Sequence, residues 1–351
     1  MKLQVFLLLV LIGGCVSKVE PPTPVETGLG INLPEGFNIK VFSDLTSAYP
    51  KAQPRFMEFY NGDLYVAIPS HNLIAKISDG KLSTVQSNLG RAHDFAFYND
   101  EIYVAEETKV LKGKLGSKLA PLIERIPTGG HWTRTIVIHD GEIYLSVGSS
   151  CNVCNEQNEI RAAISKCSLD GSCKVIARGL RNSVGMVFAG DKLYATDNGR
   201  DMIGDNIPPE EINLIEDGKN YGWPFCYGNK IADLSYSKSN SCDQTEPPFV
   251  EMQAHSAPLG IAYYDSNKFP EEYQNKFFVA FHGSWNRNEK TGYKIVMVDP
   301  KTKKTTDFAT GWLKDGKVTG RPVDIVVGPD SAMYVSDDSN GKIYRISYGK
   351  E

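Results

Sequence analysis

From residue 37 onward, apolar and polar positions alternate in short runs, and Gly, Asp and Asn punctuate the breaks between them. A period of two marks half-buried strands joined by tight turns; long apolar stripes at helical spacing are hard to find. One strand recurs in six versions: "DLYVA" (Asp63–Ala67), "EIYVA" (Glu101–Ala105), "EIYLS" (Glu142–Ser146), "KLYAT" (Lys192–Thr196), "KFFVA" (Lys276–Ala280) and "AMYVS" (Ala332–Ser336). Each follows a turn and another apolar strand, respectively "FMEF", "FAF", "IVI", "MVF", "IAY" and "IVV".

A hairpin cannot bury its apolar face alone, and hairpins repeated at this interval do so by packing around an axis as propeller blades. Six copies predict an all-β, six-bladed β-propeller; the competing reading is a two-sheet β fold with unrelated hairpins. The last copy is one strand short, since the chain ends after "PVDIVV", "AMYVS" and "KIYRISY". "FNIKVFS" (Phe37–Ser43) is the candidate outer strand, closing the ring by pairing the N-terminal strand with the last blade and removing exposed edges. A long excursion spans Arg200–His255, with "EINLI" as a third strand inside it.

The first residues change the picture of where the chain works. Lys2, the apolar run "VFLLLVLIGG" and Cys15 after Gly13 and Gly14 read as an export signal ending at a lipoprotein-type cysteine. Ordinary signal cleavage with an incidental Cys15 is the alternative. The expected organisation is a signal segment over 1–15, a Pro/Thr-rich linker over 16–34 and the propeller over 35–351. The expected location is extracytoplasmic, at the cell surface or in the periplasm, with membrane contact only through the lipid at Cys15. A net charge of -4 without a long basic run argues against nucleic acid as a partner. Of seven cysteines, six remain if Cys15 is lipidated, and their neighbours by position are Cys151 with Cys154, Cys167 with Cys173, and Cys226 with Cys242. Exported thiols favour disulfides; zinc on the Cys-x-x-Cys pair is the alternative.

In a blade, the residues before the inner strand and after the second strand share one mouth of the central channel. Before the inner strands stand Arg55, His93 with Asp94, His131 with Arg134, Arg181 with Asn182, His255 with Ser256, and Arg321 with Asp324. After the second strands come His71, Glu106, Ser149, Asp197 with Asn198, His282 with Ser284, and Asp337 with Asp338. Several arginines among histidines suit an anionic small molecule, because guanidinium forks match carboxylates. The plainer alternative is that these groups brace loop backbones.

"GGHWTRTIVI", "GLRNSVGM", "DNGRDMIGDNIPPEEINLIEDGKNYGWP", "AFHGSWNR" and "GRPVDIVVGPDSAMYVSDD" resemble the soluble glucose/sorbosone dehydrogenases, six-bladed quinoproteins that use pyrroloquinoline quinone (PQQ) with calcium. The resemblance runs from about Phe37 to Tyr348, and "CNVC" with "HGSWNR" points to the sorbosone-like or aldose sugar dehydrogenase branch. It implies His131 as general base on the sugar hydroxyl, Arg181 and Asn182 as contacts to the quinone, and Arg321 as partner of a cofactor carboxylate. Asn198, His282 and Trp285 join the cofactor contacts it implies, with rim packing as the other reading of Trp285. Backbone carbonyls of Gly199 and Arg200 would coordinate an active-site Ca2+, and Glu211 and Tyr221 match positions bound to a structural Ca2+ in some members.

These residue types fit the implied chemistry. A quinone bearing three carboxylates suits arginines and a hard, oxygen-ligated cation, which polarises the carbonyl that accepts hydride. A neutral imidazole can take the hydroxyl proton, and Arg181 can stabilise charge on the reduced quinone. The expected reaction is oxidation of an aldose at C1 to the lactone, with electrons passing to an external acceptor, since Asn155 follows Cys154 where a haem site needs histidine. The chain departs from the family in three places. Ser149 replaces the aspartate that orients the histidine, with Glu156 or the "CNVC" loop as candidate substitutes. Val323 replaces a second arginine, and a cofactor-binding lysine has the two candidates Lys314 and Lys317. A calcium-dependent, lactonase-like hydrolase using Asp94, Asn182, Asp197 and Asn198 is the rival enzyme, and a glycan- or peptide-binding propeller the rival without catalysis.

Overall fold

The computed structural model describes residues 25–237 and 241–350. The signal segment, Cys15 and the linker through residue 24 lie outside the described residues. Six antiparallel sheets of four or five strands form the six-bladed propeller that the hairpin repeat predicts. Blade 1 is Met57–Tyr60, Asp63–Ile68, Leu73–Ser78 and Lys81–Gln86, and blade 2 is Asp94–Tyr98, Glu101–Ala105, Val110–Gly113 and Ala120–Ile123. Blade 3 is Arg134–His139, Glu142–Val147, Ala163–Ser168 and Cys173–Arg178, with Lys219–Asn220 added in parallel at its edge. Blade 4 takes its third strand from Glu210–Ile215 and its outer strand, Val250–Met252, only after the long excursion, having begun with Met186–Ala189 and Lys192–Asp197. Blade 5 is Pro258–Tyr264, Lys276–Phe281, Lys294–Val298 and Thr305–Ala309.

Blade 6 closes the ring. Pro322–Val327, Met333–Asp337 and Lys342–Tyr348 come from the C-terminal end, and the outer strand is Phe37–Asp44, antiparallel to Lys342–Tyr348 from Phe37 opposite Tyr348 to Asp44 opposite Lys342. Phe37 is the pin of this joint: it is 7% exposed and its ring meets Phe269, Tyr273, Phe308 and Tyr348 edge-on at 4.8 to 5.0 Å. Just upstream, Ile31 and Leu33 are buried in the same cluster, and Asn32 bridges to Thr310.

The recurring apolar positions explain why the sheets pack face to face. Each strand sends alternate residues to opposite faces, so both faces of a blade are apolar and each packs on a neighbour. A separate hydrophobic cluster fills each of the six blade interfaces. Nearer the axis, Phe56, Val184, Leu259 and Val323 from blades 1, 4, 5 and 6 form a seventh. Below it runs a channel of about 320 Å³ lined by all six inner strands, in which Glu58, Asp94 and Asp324 each accept a backbone N–H from the next blade. All three position-neighbour cysteine pairs are disulfides, so Cys151 and Cys154 bind each other and no zinc.

Truncating Phe37 to alanine removes the ring joining the two chain ends, and loss of a buried Phe side chain costs about 3–5 kcal/mol. Denaturant unfolding of Phe37→Ala should show a midpoint lowered accordingly; a loss below about 1 kcal/mol would mean that other contacts hold the closure.

Candidate active site

Antiparallel pairing puts the start of every inner strand beside the end of its second strand, as with Arg134 opposite Val147 in blade 3. The loops there are braced by acidic side chains. At the end of the second strand of blade 4, Asp197 accepts the backbone N–H groups of Arg181 (3.0 Å) and Asn182 (2.7 Å) and the Ser183 hydroxyl. Asp337 does the same in blade 6 for Arg321, Ser339 and Asn340, and Glu106 accepts from Gly90 in blade 2. The bracing reading therefore holds for the buried carboxylates. His255 also braces, its Nε2 lying 2.7 Å from the Gly204 carbonyl.

His131 has a different setting. Its Nδ1 lies 3.0 Å from Ser149 Oγ and 3.1 Å from the Ser149 carbonyl. The Ser149 hydroxyl donates to the Cys151 carbonyl at 2.6 Å, so its oxygen is left to accept. Facing two acceptors, Nδ1 carries the proton, and the lone pair is on Nε2, which has no hydrogen-bond partner among the described residues. Burial and the nearby Arg181 charge push this imidazole down to about 4. Serine has thus taken the orienting place, while Glu156 bonds Ser150.

Arg181 and Asn182 lie beside His131. A Cβ on Gly148 would come within 2.8 Å of His131 Cβ and closer still to the Asn182 amide, so the close approach of these two side chains requires glycine there. The Arg181 guanidinium donates from Nε to the Asn152 carbonyl, from Nη2 to Asn152 Oδ1 and Asp201, and from Nη1 to the Asn198 carbonyl. Four of its five N–H groups are thereby used, leaving one on Nη1. Asn198 itself ties blade 4 to blade 5 by donating to the Pro258 carbonyl.

Across the mouth, Arg321 donates from Nε to the His282 carbonyl and from Nη2 to the Gly283 carbonyl, each at 3.1 Å, which leaves three N–H groups free among the described residues. The His282 ring faces Asp338 at 2.9 Å, and Arg55 pairs with the other oxygen at 2.8 Å. Burial opposes ionisation of Asp338, but the His282 ring and Arg55 hold it down at about 2. Arg55 also meets His93 Nε2 at 3.3 Å, and because a guanidinium only donates, His93 is the acceptor and is neutral. Burial, with Arg55 beside it, holds His93 well below the usual imidazole range. Polar contacts thus run from blade 5 through blades 6, 1 and 2, where His93 reaches the Arg134 carbonyl of blade 3.

The remaining candidates divide in two. Gly199, Arg200, Glu211 and Tyr221 line one small cavity of about 20 Å³ with Arg181, Asp197 and Asp233. Neither the Gly199 nor the Arg200 carbonyl accepts a hydrogen bond among the described residues, although Gly199 N–H donates to Glu210 and the Arg200 side chain pairs with Asp233. Glu211 accepts from Gly228 N–H and the Asn213 amide, with no cationic partner among the described residues, and burial pushes it up to about 7. The Tyr221 hydroxyl donates to the Leu214 carbonyl. Trp285 stands 73% exposed on a loop that Arg287 and Asn288 tie to Asn206 and Asp205. Lys314 pairs with Glu26, and Val323 is fully buried in the apolar floor, where a charge has no place.

A family model described as TrAA12-like matches residues 77–349, more than half the chain. The protein belongs to the TrAA12-like family. It is 30% identical over 349 residues to an uncharacterized protein of Borreliella burgdorferi, covering 91% of each chain. It is 27% identical over 291 residues to a pyrroloquinoline quinone-dependent pyranose dehydrogenase of Coprinopsis cinerea, a match spanning 62% of this chain and 39% of that protein. The holo PQQ domain of the pyranose dehydrogenase from Coprinopsis cinerea has the same fold, with a TM-score of 0.76 over 90% of this chain and 97% of that one at 20% identity. The resemblance read in "GGHWTRTIVI" and its companion motifs is borne out at the level of family and fold.

Three features escaped sequence reading: Asn152 as the holder of Arg181, Asp201 as its counter-charge, and Trp132 under the guanidinium of Arg91 at 4.0 Å. Only the position of Asn152 inside "CNVC" was a usable signal. NMR titration of histidine-labelled protein should place the His131 midpoint near pH 4. In Arg181→Met, loss of the neighbouring positive charge should raise it, and an unchanged midpoint would show that Arg181 does not act on this ring.

Proposed function

We propose that this TrAA12-like protein is a PQQ- and calcium-dependent dehydrogenase that oxidises an aldose at C1 to the lactone and hands electrons to an external acceptor. The observation that carries the reading is a proton-free His131 Nε2 beside Arg181 in a mouth whose opposite wall presents Arg321 with three unused donors. A flat, multiply anionic cofactor suits that setting, with an apolar floor below it and guanidinium groups on two sides. Calcium suits the Gly199 and Arg200 carbonyls, hard oxygens not engaged by any described N–H, and a second ion suits the buried Glu211 carboxylate near Tyr221.

When bound, PQQ with calcium supplies the hydride acceptor and its Lewis acid. The protein's own residues do the rest. His131 Nε2 takes the proton of the sugar hydroxyl, and Ser149 keeps the ring in the required tautomer. Arg321 and the free Nη1 donor of Arg181 orient carboxylates, the Asn182 amide lies against Gly148 as His131 does, and His282 and Trp285 offer ring surfaces at the rim. The rival hydrolase needs free acidic ligands at the mouth, but Asp94 and Asp197 already accept backbone N–H groups. Three disulfides support work outside the cytoplasm, with Cys15 as a lipid anchor.

Apoprotein given PQQ and calcium should reduce an external dye with a panel of aldoses, and a calcium chelator during reconstitution should abolish this. His131→Ala should lower kcat at least about 100-fold, the usual size of a lost general base. Because the ring must be neutral and burial lowers its pKa to about 4, kcat/KM should hold through pH 5 and fall only as pH approaches 4. No turnover with any aldose, or full turnover by His131→Ala, would sink the proposal.

A further inference from the structure

The disulfide Cys151–Cys154 closes a ring with a sequence separation of only 3. A cross-link this short removes little freedom from the unfolded chain, and less than Cys226–Cys242 with its separation of 16. Its effect is local, on what the ring contains. Asn152 lies inside it and makes contacts in three directions. Its carbonyl accepts from Arg181 Nε at 3.0 Å and from Trp223 Nε1 at 3.2 Å. Its side-chain oxygen accepts from Arg181 Nη2 at 3.0 Å and from Asp201 N–H at 2.8 Å, while its amide nitrogen donates to the Asp201 carbonyl at 3.1 Å.

The same ring reaches the base. The Cys151 carbonyl accepts the Ser149 hydroxyl proton, and that bond is what leaves Ser149 Oγ as an acceptor for His131 Nδ1. One four-residue ring therefore holds the Arg181 fork on one side and the orienting serine of His131 on the other.

We infer that Asn152, clamped by the Cys151–Cys154 disulfide, is a positioning residue that sets the Arg181 guanidinium relative to His131. The inference rests on the proposal that Arg181 meets the cofactor, but the clamp can be seen without it. Asn152 supplies the acceptors for two of the four Arg181 guanidinium contacts, one at Nε and one at Nη2, so Arg181 keeps one orientation and its free Nη1 donor keeps one heading. Without the side-chain oxygen, Nη2 retains only Asp201, which is itself held by Asn152.

Two sets of measurements, one on cofactor-free and one on reconstituted protein, test this on four variants. In the cofactor-free protein, the Nη2–H resonances of Arg181, assigned by their loss in Arg181→Lys, should be protected from exchange, and Asn152→Ala, which removes the side-chain oxygen that Nη2 bonds, should expose them. In reconstituted protein, Asn152→Ala and the pair Cys151→Ser with Cys154→Ser should each weaken PQQ binding about 10-fold or more, read by quenching of tryptophan fluorescence. They should also lower kcat while the sugar KM stays within about twofold, because a misplaced guanidinium affects the reacting centre rather than sugar capture. Asn152→Asp keeps the acceptor and should restore Arg181 protection. The pair Cys167→Ser with Cys173→Ser, at the far end of the same blade, should leave both readouts at the wild-type value and so control for the loss of a disulfide. Asn152→Ala matching wild type in both measurements overturns the inference. If wild-type protein binds no PQQ, the proposed function fails, and Arg181 protection alone still decides whether Asn152 holds it.

Discussion

The antiparallel join between Phe37–Asp44 and Lys342–Tyr348 makes a ring out of what is otherwise a row of hairpins. A row has two free edges and no axis, whereas a closed ring brings residues far apart in sequence to one mouth. The contacts between blades 6 and 1 that this closure brings about show the dependence. Arg55 meets Asp338 there, the Ser336 hydroxyl donates to the Arg55 carbonyl, and Asp324 accepts from Met57 N–H. His282 shares Asp338 with Arg55, and Arg55 in turn touches His93. Opening the seam would release the strand edge and also leave the wall opposite His131 without its central ion pair.

Within the closed mouth, hydrogen bonding and charge balance are separate matters. Arg134 donates to the carbonyls of Glu107, His131, Thr133 and Pro127, and Arg161 to those of Gly148, Pro127 and Thr128. Arg321 likewise donates to carbonyls. A carbonyl satisfies an N–H without cancelling its charge, so these guanidinium groups stay bonded and still project positive potential. That potential is one reason the His131 imidazole sits so low, after burial itself. It also favours a guest carrying several carboxylates, which would complete the charge balance that the loop backbones leave open.

The hairpin repeat, the closing strand and the disulfide partners were legible because each follows from local pattern: alternation, turn residues and cysteines near in sequence. The convergence of His131, Arg181 and Arg321 on one mouth was legible too, since the topology alone carries the ends of the strands there. What the pattern could not show was how each polar group is engaged. Arg134 and Arg181 occupy similar places before inner strands, yet Arg134 donates only to carbonyls while Arg181 is held beside His131. Asp94 and Asp197 read as potential ligands but accept backbone N–H groups. Backbone acceptors belong to every residue type, so sequence gives no sign of which carbonyl a given arginine finds.

A serine rather than a carboxylate behind the His131 imidazole has a consequence for the proposed proton transfer. A carboxylate would stabilise the charged ring, raise its pKa and make it a stronger base that is more often protonated near neutrality. A hydroxyl and a carbonyl fix the tautomer equally well but give much less to the imidazolium, and Arg181 opposes it directly. Such a ring is free to accept a proton over a wide pH range and returns it readily to water once the sugar has reacted. Its weaker pull on the hydroxyl must be offset where the charge develops, by cations around the sugar oxygen. The positive mouth supplies part of that offset, and under the proposed function a calcium ion held by the Gly199 and Arg200 carbonyls would supply the rest, so the serine and the arginines are parts of one electrostatic solution.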